Sequence, residues 1–529
     1  MESDKEPVRP ASAAGGNGTG GNGTGGKGTG GRGQAARSLG WVVLESGGVS
    51  LLSLVTVLVL ARLIGPEEFG VAGLALSIVQ ILYVVAETLF HDAVVQRRDL
   101  RGEHIDSAIW CSILVGAVLA AACWFGAPYA EQLFHAPGLA PLLAWMGLSL
   151  VFGGATGVMT ALLRRDLNFK RVAARSLAGR LLGAAAGLVL ALQGFGVWAL
   201  VAQQLAISFA CAAALWISPP YRPRLRIVPK ALGELLRFAL PAFTAAFLWQ
   251  TNLRLFILLT GWLLGPAAVG YLSVALKVVD TARQLVSSAL QQLSLPLFSR
   301  CQDDREALRR GFKAATELTA LTTLPLFAGL FVLAEEVVPF VLGAKWMPAV
   351  PLIQVLCVIS MAQLVRQFGN ATLTAVGAPN TLAWQNAIGL VASISLLLAF
   401  GDIGVFAATL VWGARFVFVL PWNVWMVKRI AGIGLRDQLG PPFVPILSAT
   451  IMAVALAGLR EAVTPELSPL PALLLLAPAG GLIYLVLVLV FDRPLVGRMA
   501  AFAMAAAGRR RGKADMPAPP PAGGATLSP

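Results

Sequence analysis

The sequence predicts an all-α integral membrane protein of about fourteen transmembrane helices: two six-helix bundles related by a parallel repeat, and two further C-terminal helices. Three observations predict it. Of 529 residues, 57% are hydrophobic and 13% charged, with a mean hydropathy of +0.74. A soluble chain is nearer 45–50% apolar and about 25% charged, and one as apolar as this would have no surface left to hydrate. Apolar runs of about 20 residues, long enough to span a bilayer's hydrocarbon core, recur along most of the chain. Finally, the two halves echo each other at an offset near 200 residues.

Residues 1–38 form a Gly-rich tail, NGTGGNGTGGKGTGGRG, which cannot bury a core and is expected to be disordered. Gly21 to Lys27 approach a phosphate-binding loop, but Gly28 stands where a magnesium-binding hydroxyl is needed, and no strand precedes it. The first apolar segment is too long and starts too late for a secretory signal. Fourteen spans follow, at 39–61, 69–90, 107–127, 140–163, 174–193, 196–218, 238–260, 268–296, 314–333, 349–372, 381–400, 403–427, 443–463 and 469–491. The eighth is long and polar enough to tilt or to extend beyond the bilayer. The expected units are an N-terminal bundle at 39–218, a cytoplasmic linker at 219–237, a C-terminal bundle at 238–427 and two extra helices at 443–491. A basic, then Pro/Ala-rich tail at 494–529 is also expected to be disordered.

Cys111, Cys123, Cys211, Cys301 and Cys357 lack metal-ligand spacing, and His91, His104 and His135 are scattered, so neither metal nor cofactor is expected. The net charge of +14 would suggest nucleic acid in a soluble protein. Its distribution gives another reading. With the N-terminus in the cytoplasm, 32 of the 41 Lys and Arg lie in the tails and cytoplasmic-side loops, counting Arg175 at the cytoplasmic edge of the fifth span. Three, Arg62, Lys345 and Arg460, lie opposite, and six lie within spans. That asymmetry orients the chain with both termini cytoplasmic and requires no nucleic acid.

The repeat is carried by Leu63-Ile64-Gly65-Pro66 and Leu263-Leu264-Gly265-Pro266, with Gly70 matching Gly270, Ala75 matching Ala275 and Leu76 matching Leu276. Gly196-Val197-Trp198-Ala199 aligns with Gly404-Val405-Phe406-Ala407 at offset 208. Spans 1–6 therefore resemble spans 7–12. Six is even, so the copies share an orientation and an axis along the membrane normal, with a site expected between them.

Ionisable residues inside a bilayer usually face protein or a hydrated cavity. In span 8, Lys277, Asp280, Gln284, Ser287 and Gln291 form one helical stripe, with Arg283 beside it. Span 2 repeats the phase with Ser77, Gln80, Glu87 and His91. Span 10 carries Gln363, Arg366, Gln367 and Asn370, span 7 Gln250 and Arg254, and span 1 Glu45 with Ser46, Ser50 and Ser53. These stripes point to a central cavity lined by spans 1, 2, 7, 8 and 10. The expected anion path is Arg254, Lys277, Arg283 and Arg366 with Gln250, Gln284, Gln363 and Asn370. Glu45, Glu87 and Asp280 are candidates for proton coupling. The excess of cations suits a phosphate-bearing substrate. The competing reading is local helix bracing, such as Lys277 with Asp280. Arg180 and Arg415 are weaker candidates, since each can snorkel to an interface.

Ala61-Arg-Leu-Ile-Gly-Pro-Glu-Glu-Phe-Gly70, Ala161-Leu-Leu-Arg-Arg-Asp-Leu-Asn-Phe-Lys-Arg171 and Gly194-Phe-Gly-Val-Trp-Ala-Leu-Val201 resemble the signatures of the polysaccharide transporters, the Wzx-type flippases of the multidrug/oligosaccharidyl-lipid/polysaccharide exporter superfamily. The resemblance covers roughly residues 38–430. It implies a MATE-like V of two bundles in a bacterial inner membrane. The implied function is flipping an undecaprenyl-diphosphate-linked oligosaccharide to the periplasmic leaflet for exopolysaccharide, capsule or O-antigen synthesis. The implied partners are the lipid-linked oligosaccharide and the bilayer, with a polysaccharide polymerase and co-polymerase. The family has no strict catalytic motif to carry over. A drug/cation antiporter of this fold would favour acidic cavity residues, and the hairpin and span-4 loop resemblances disfavour a lipid II flippase, which also has fourteen spans and a cationic cavity. A glycosyltransferase or polymerase needs sizeable outward loops, which are short here, so no enzyme is expected.

Overall fold

The computed structural model describes residues 29–300, 305–376, 379–463 and 469–492, and the side chains of most of them. Thirteen of the fourteen expected spans each coincide with one helix, and the fourth with two. The first bundle contains α1 (Thr29–Leu63), α2 (Pro66–Thr88), the short α3 (His91–Gln96), α4 (Gly102–Phe134), α5 (Leu139–Gly147), α6 (Ser149–Arg165), α7 (Phe169–Leu192) and α8 (Trp198–Ile217). The second contains α9 (Pro229–Leu264), α10 (Pro266–Arg300), α11 (Arg305–Val341), α12 (Val350–Ala375), α13 (Pro379–Phe400) and α14 (Val405–Ala431). The short α15 (Leu435–Leu439) leads to α16 (Phe443–Val463) and α17 (Pro469–Phe491). Expected span 4 is divided at Leu148 into α5 and α6.

Thirteen helical stretches among the described residues are long and apolar enough to cross a membrane. The described part of α10 contains Lys277, Asp280 and Arg283 and falls outside that set. Two helices begin before their expected spans. α1 starts at Thr29, because Arg32-Gly-Gln-Ala-Ala-Arg37 contains mostly good helix formers. α9 starts at Pro229, whose fixed φ and missing N–H suit a first helical position. The remainder of the N-terminal tail and all of the C-terminal one lie outside the described residues.

The repeat meets itself at one end of the molecule, the hairpin end. There α2 and α10, each opened by a Gly-Pro pair, cross in direct backbone contact. A Cβ on Gly70 would stand 1.8 Å from the Pro266 carbonyl oxygen, and one on Gly270 2.0 Å from that of Pro66. This reciprocity reflects the two-fold relation between the halves, and only glycine permits so close an approach. Gly265 also holds φ at +81°, a left-handed conformation that turns α9 sharply into α10.

The turn after α11 seals this seam. Trp346 is fully buried, edge-on to Phe69 of the first repeat at 5.7 Å and to Tyr271 of the second at 5.9 Å. Its Nε1 donates to the Ala61 carbonyl at 2.8 Å. Lys345 Nζ donates to the carbonyls of Arg62 and Ile64, each at 2.9 Å. One turn thus grips both bundles where the two Gly-Pro hairpins meet. On α16, Arg460 pairs with Glu336 of α11 at 2.5 Å and also with Glu335, pinning the C-terminal helix pair to the second bundle.

At the opposite, linker end, the segment joining the bundles is strapped to α4. Asp106 accepts from the Arg224 backbone N–H at 2.9 Å, Ser107 Oγ accepts from that of Val228 at 2.9 Å, and Trp110 Nε1 donates to the Arg224 carbonyl at 2.8 Å. Glu234, on the first turns of α9, accepts from Arg97 at 2.5 Å and lies 3.3 Å from His104 Nε2. The hydrogen bonds from Arg97 and His104 hold its carboxyl below the usual carboxylate range. A carboxyl depressed on folding stabilises the folded form above its unfolded-state pKa, and the contribution disappears as pH falls through the folded value. Glu234→Gln should therefore melt below the wild type at pH 7 in detergent. The two melting curves should converge as the solution is acidified through that range.

Candidate transport cavity

Between the bundles lies a cavity of about 950 Å³. It runs from Leu356 and Trp412, toward the hairpin end, to Asn370, Gln385 and Ser46, toward the linker end. The helices reaching it include all five expected from the polar stripes, α1, α2, α9, α10 and α12, and in addition α13 and α14. Among the described residues the first bundle contributes only Ser46, Gln80 and Val84. The other 25 lining residues belong to the second.

Of the residues singled out in the sequence, Arg254, Arg283, Gln250, Gln284, Gln363, Asn370 and Asp280 come together on this wall. Asp280 accepts from Arg283 Nη2 at 2.7 Å, while Arg283 Nη1 donates to Gln363 Oε1 across to α12. The i,i+3 partner of Asp280 is thus Arg283, where the sequence offered Lys277. Arg254 is close enough to interact with the charge of Asp280. Lys277 is not among the lining residues. It is half-buried, within electrostatic reach of Arg180, Asp280 and Arg254. The side chains of Arg366, Ser287 and Gln291 lie outside the described set.

Glu45 and Glu87 are likewise absent from the lining. Glu45 accepts from Ser176 Oγ of α7 at 2.8 Å. Glu87 interacts electrostatically with Arg175, His91 and Arg164 inside the first bundle. Neither stands opposite the cations of the second bundle. α6 explains the tightness around Glu87: a Cβ on Gly157 would fall 2.1 Å from the Glu87 carbonyl oxygen.

Arg415, only a weaker candidate in the sequence, and the amides of α13 and α14, which were not picked out there, complete the site. Arg415 lies in the cavity, its guanidinium 3.5 Å from the Trp412 ring centre and 4.6 Å from that of Phe416. Trp412 in turn stacks on Phe256 at 4.9 Å, nearly parallel at 17°. Gln385 and Asn386 add two amides from α13. Asn423, 2% exposed, lies behind them and donates through Nδ2 to Asn370 Oδ1 at 2.9 Å and to Gln385 Oε1 at 2.8 Å. A signal was present: Trp412, Arg415, Phe416, Val419 and Asn423 follow i, i+3, i+4, i+7, i+11, one face of α14.

Chemically, the lining joins nine carboxamides with three arginines and one aspartate. Such a surface offers neutral donors and acceptors along its length, and a surplus of two positive charges at mid-height. Among the described residues no cluster of His, Cys, Asp or Glu could hold a metal ion.

Three comparisons bear on this arrangement. Residues 59–351 match the family described as polysaccharide biosynthesis protein. The succinoglycan biosynthesis transport protein ExoT of Rhizobium meliloti (strain 1021) is 28% identical over 473 residues, covering 89% of this chain and 95% of that one. The lipopolysaccharide biosynthesis protein WzxC of Escherichia coli (strain K12) is 24% identical over 60% of this chain and 65% of its own. Among solved structures, the lipid II flippase MurJ in an inward closed conformation superposes with a TM-score of 0.73 over 86% of this chain and 99% of its own, at 16% identity. That likeness shows the fold.

Proposed function

This chain belongs to the polysaccharide biosynthesis protein family, a family of multi-pass membrane transporters, and from that premise we propose that it flips an undecaprenyl-diphosphate-linked oligosaccharide repeat unit from the cytoplasmic to the periplasmic leaflet by alternating access. One observation carries the reading: a membrane-embedded cavity lined by amides and arginines lies between the bundles, beneath the seam that joins them at the hairpin end. A lipid diphosphate has an apolar tail that bilayer can hold and an anionic, glycosylated head that it cannot, since a bare charge in hydrocarbon is prohibitively costly. A hydrated wall with fixed cations lowers that barrier. Access to one side at a time then allows the head to be released where it was not picked up.

In this proposal the inner-membrane orientation follows the Lys/Arg distribution, so the linker end is cytoplasmic and the hairpin end periplasmic. Arg254 and Arg283 hold the diphosphate, with Arg366 as a further cation, Gln250, Gln284 and Gln363 complete the polar path around it, and Asn370 extends that path toward the linker end, away from the diphosphate. Asp280, paired with Arg283, is the coupling carboxylate best placed to sense occupancy. Glu45 and Glu87 serve inside the first bundle. The residue ranges 39–218 and 238–427 are the two moving bodies of the transport cycle.

The direct test is reconstitution. Purified protein in liposomes should move fluorescent undecaprenyl-diphosphate-linked oligosaccharide between leaflets. Transport of a lipophilic cation instead would favour a drug antiporter, and transport of lipid II alone would favour a peptidoglycan role. Orientation has its own test: in a cysteine-free background, Asp402→Cys, exposed near the hairpin end, should react with an impermeant thiol reagent in intact spheroplasts. Arg226→Cys, exposed on the linker, should react only after the membrane is opened. The reverse pattern would overturn the direction of transport.

A further inference from the structure

We infer that the linker-end part of the cavity is a sugar-reading subsite, built on an interlocked amide triad, Asn370, Gln385 and Asn423, and distinct from the charged mid-height patch. The inference deepens the flippase reading and rests on it.

The triad is closed on itself. Asn423 donates to both Asn370 Oδ1 and Gln385 Oε1, and Gln385 Nε2 donates to Asn370 Oδ1 at 3.3 Å. Asn423 and Gln385 are each 2% exposed, so the ring is held within packed helices α12, α13 and α14. Its geometry fixes which way each amide faces. The Asn370 carbonyl is engaged by two donors, while its Nδ2, without a partner among the described residues, is left to donate into the cavity that Asn370 lines. Asn386 lines the same stretch beside Gln385.

Fixed neutral amides are poorly suited to a diphosphate, which is served by arginine, and well suited to hydroxyls, which both donate and accept. Groups that are already oriented recognise a ligand without the cost of ordering them on binding. A site built to hydrogen-bond hydroxyls also discriminates strongly against a ligand lacking them, because its buried polar groups are then left unpaired. The two patches lie on one helix. Gln363, which touches Arg283, and Asn370 are two turns apart on α12, about 10 Å at 1.5 Å per residue. A phosphate and the pyranose attached to it bridge such a span. The ligand class is therefore a neutral hexopyranose next to the diphosphate.

The test compares two probes on the full-length protein in nanodiscs: undecaprenyl diphosphate, and the same lipid carrying one hexose, with binding followed by native mass spectrometry. The wild type should bind the glycosylated probe roughly 10-fold more tightly or better. Asn370→Ala should lose most of that preference while binding the bare diphosphate as before, and the retained binding shows that the variant is folded. Arg283→Gln should weaken both probes by a similar factor and leave the preference intact. If Asn370→Ala fails to fold, Asn386→Ala, which lines the same stretch outside the triad, decides by the same measure. Equal affinity of the wild type for both probes would overturn the subsite and leave the flippase reading standing, as would an equal loss of both in a folded Asn370 or Asn386 variant. Binding of neither probe would overturn both.

Discussion

Gly70→Ala is expected to abolish polysaccharide export while the protein still inserts and accumulates. The added Cβ would stand 1.8 Å from the Pro266 carbonyl oxygen, and neither backbone at the crossing can move aside as a flexible side chain would. Overpacking of this kind costs about 1–3 kcal/mol. The two ends of an access cycle commonly differ by only a few kcal/mol. The strain exists only while the hairpin end is closed, so the variant should favour the state in which α2 and α10 have parted. Ser273 lies on this seam, its Oγ facing Gly73. A cysteine there should react slowly with an impermeant reagent in the parent and on the order of 10- to 100-fold faster beside Gly70→Ala. Gly270→Ala should behave alike, because the contact is reciprocal. Unchanged labelling together with normal export would show that the crossing never opens.

The second large effect is expected from the cavity charge. Three arginines against one aspartate leave two surplus positive charges on the described wall, and Arg254→Gln halves that surplus. A charge 5 Å from a phosphate at an effective dielectric of about 20 is worth about 3 kcal/mol. Its loss should cut transport by on the order of 100-fold. Arg283→Gln should cost more, since it also strips Asp280 of its 2.7 Å partner and leaves a carboxylate facing the proposed anionic substrate. The double variant Asp280→Asn/Arg283→Gln separates the roles. If Arg283 only neutralises Asp280 along α10, removing both partners should restore transport. If Arg283 meets the substrate, the double variant should remain as poor as Arg254→Gln. Lysine at either arginine should rescue in part, keeping the charge and losing the forked geometry.

The fourteen spans were legible because a bilayer imposes a length and a polarity that composition cannot hide. The five cavity helices found from sequence were those carrying several polar residues in one phase, where chance is a poor explanation. α13 and α14 escaped for physical reasons. Gln385 and Asn386 are adjacent, so they mark no periodic face. On α14, Trp412 and Phe416 look like ordinary apolar filling, and Arg415 looks like a side chain reaching for an interface. Only their common phase with Asn423 gave the face away. Glu87 misled in the opposite sense. It shares the phase of Gln80 two turns earlier, yet Gln80 reaches the cavity while Glu87 sits among the cations of α6 and α7. Phase locates a side chain around a helix and leaves open what stands opposite at each height.

With 25 of the 28 lining residues found among the described ones on one bundle, the two copies of the repeat contribute unequally to the cavity. On the proposed function, the second copy reads the cargo and the first chiefly supplies the door. A new cargo would then require changes in only one half of the gene, which recombination near the expected linker at 219–237 would exchange whole. Such a shuffled gene would inherit its sugar preference from the second parent, while the first supplied half of a closure at Gly70 and Gly270 made of backbone, to which side-chain divergence is nearly invisible.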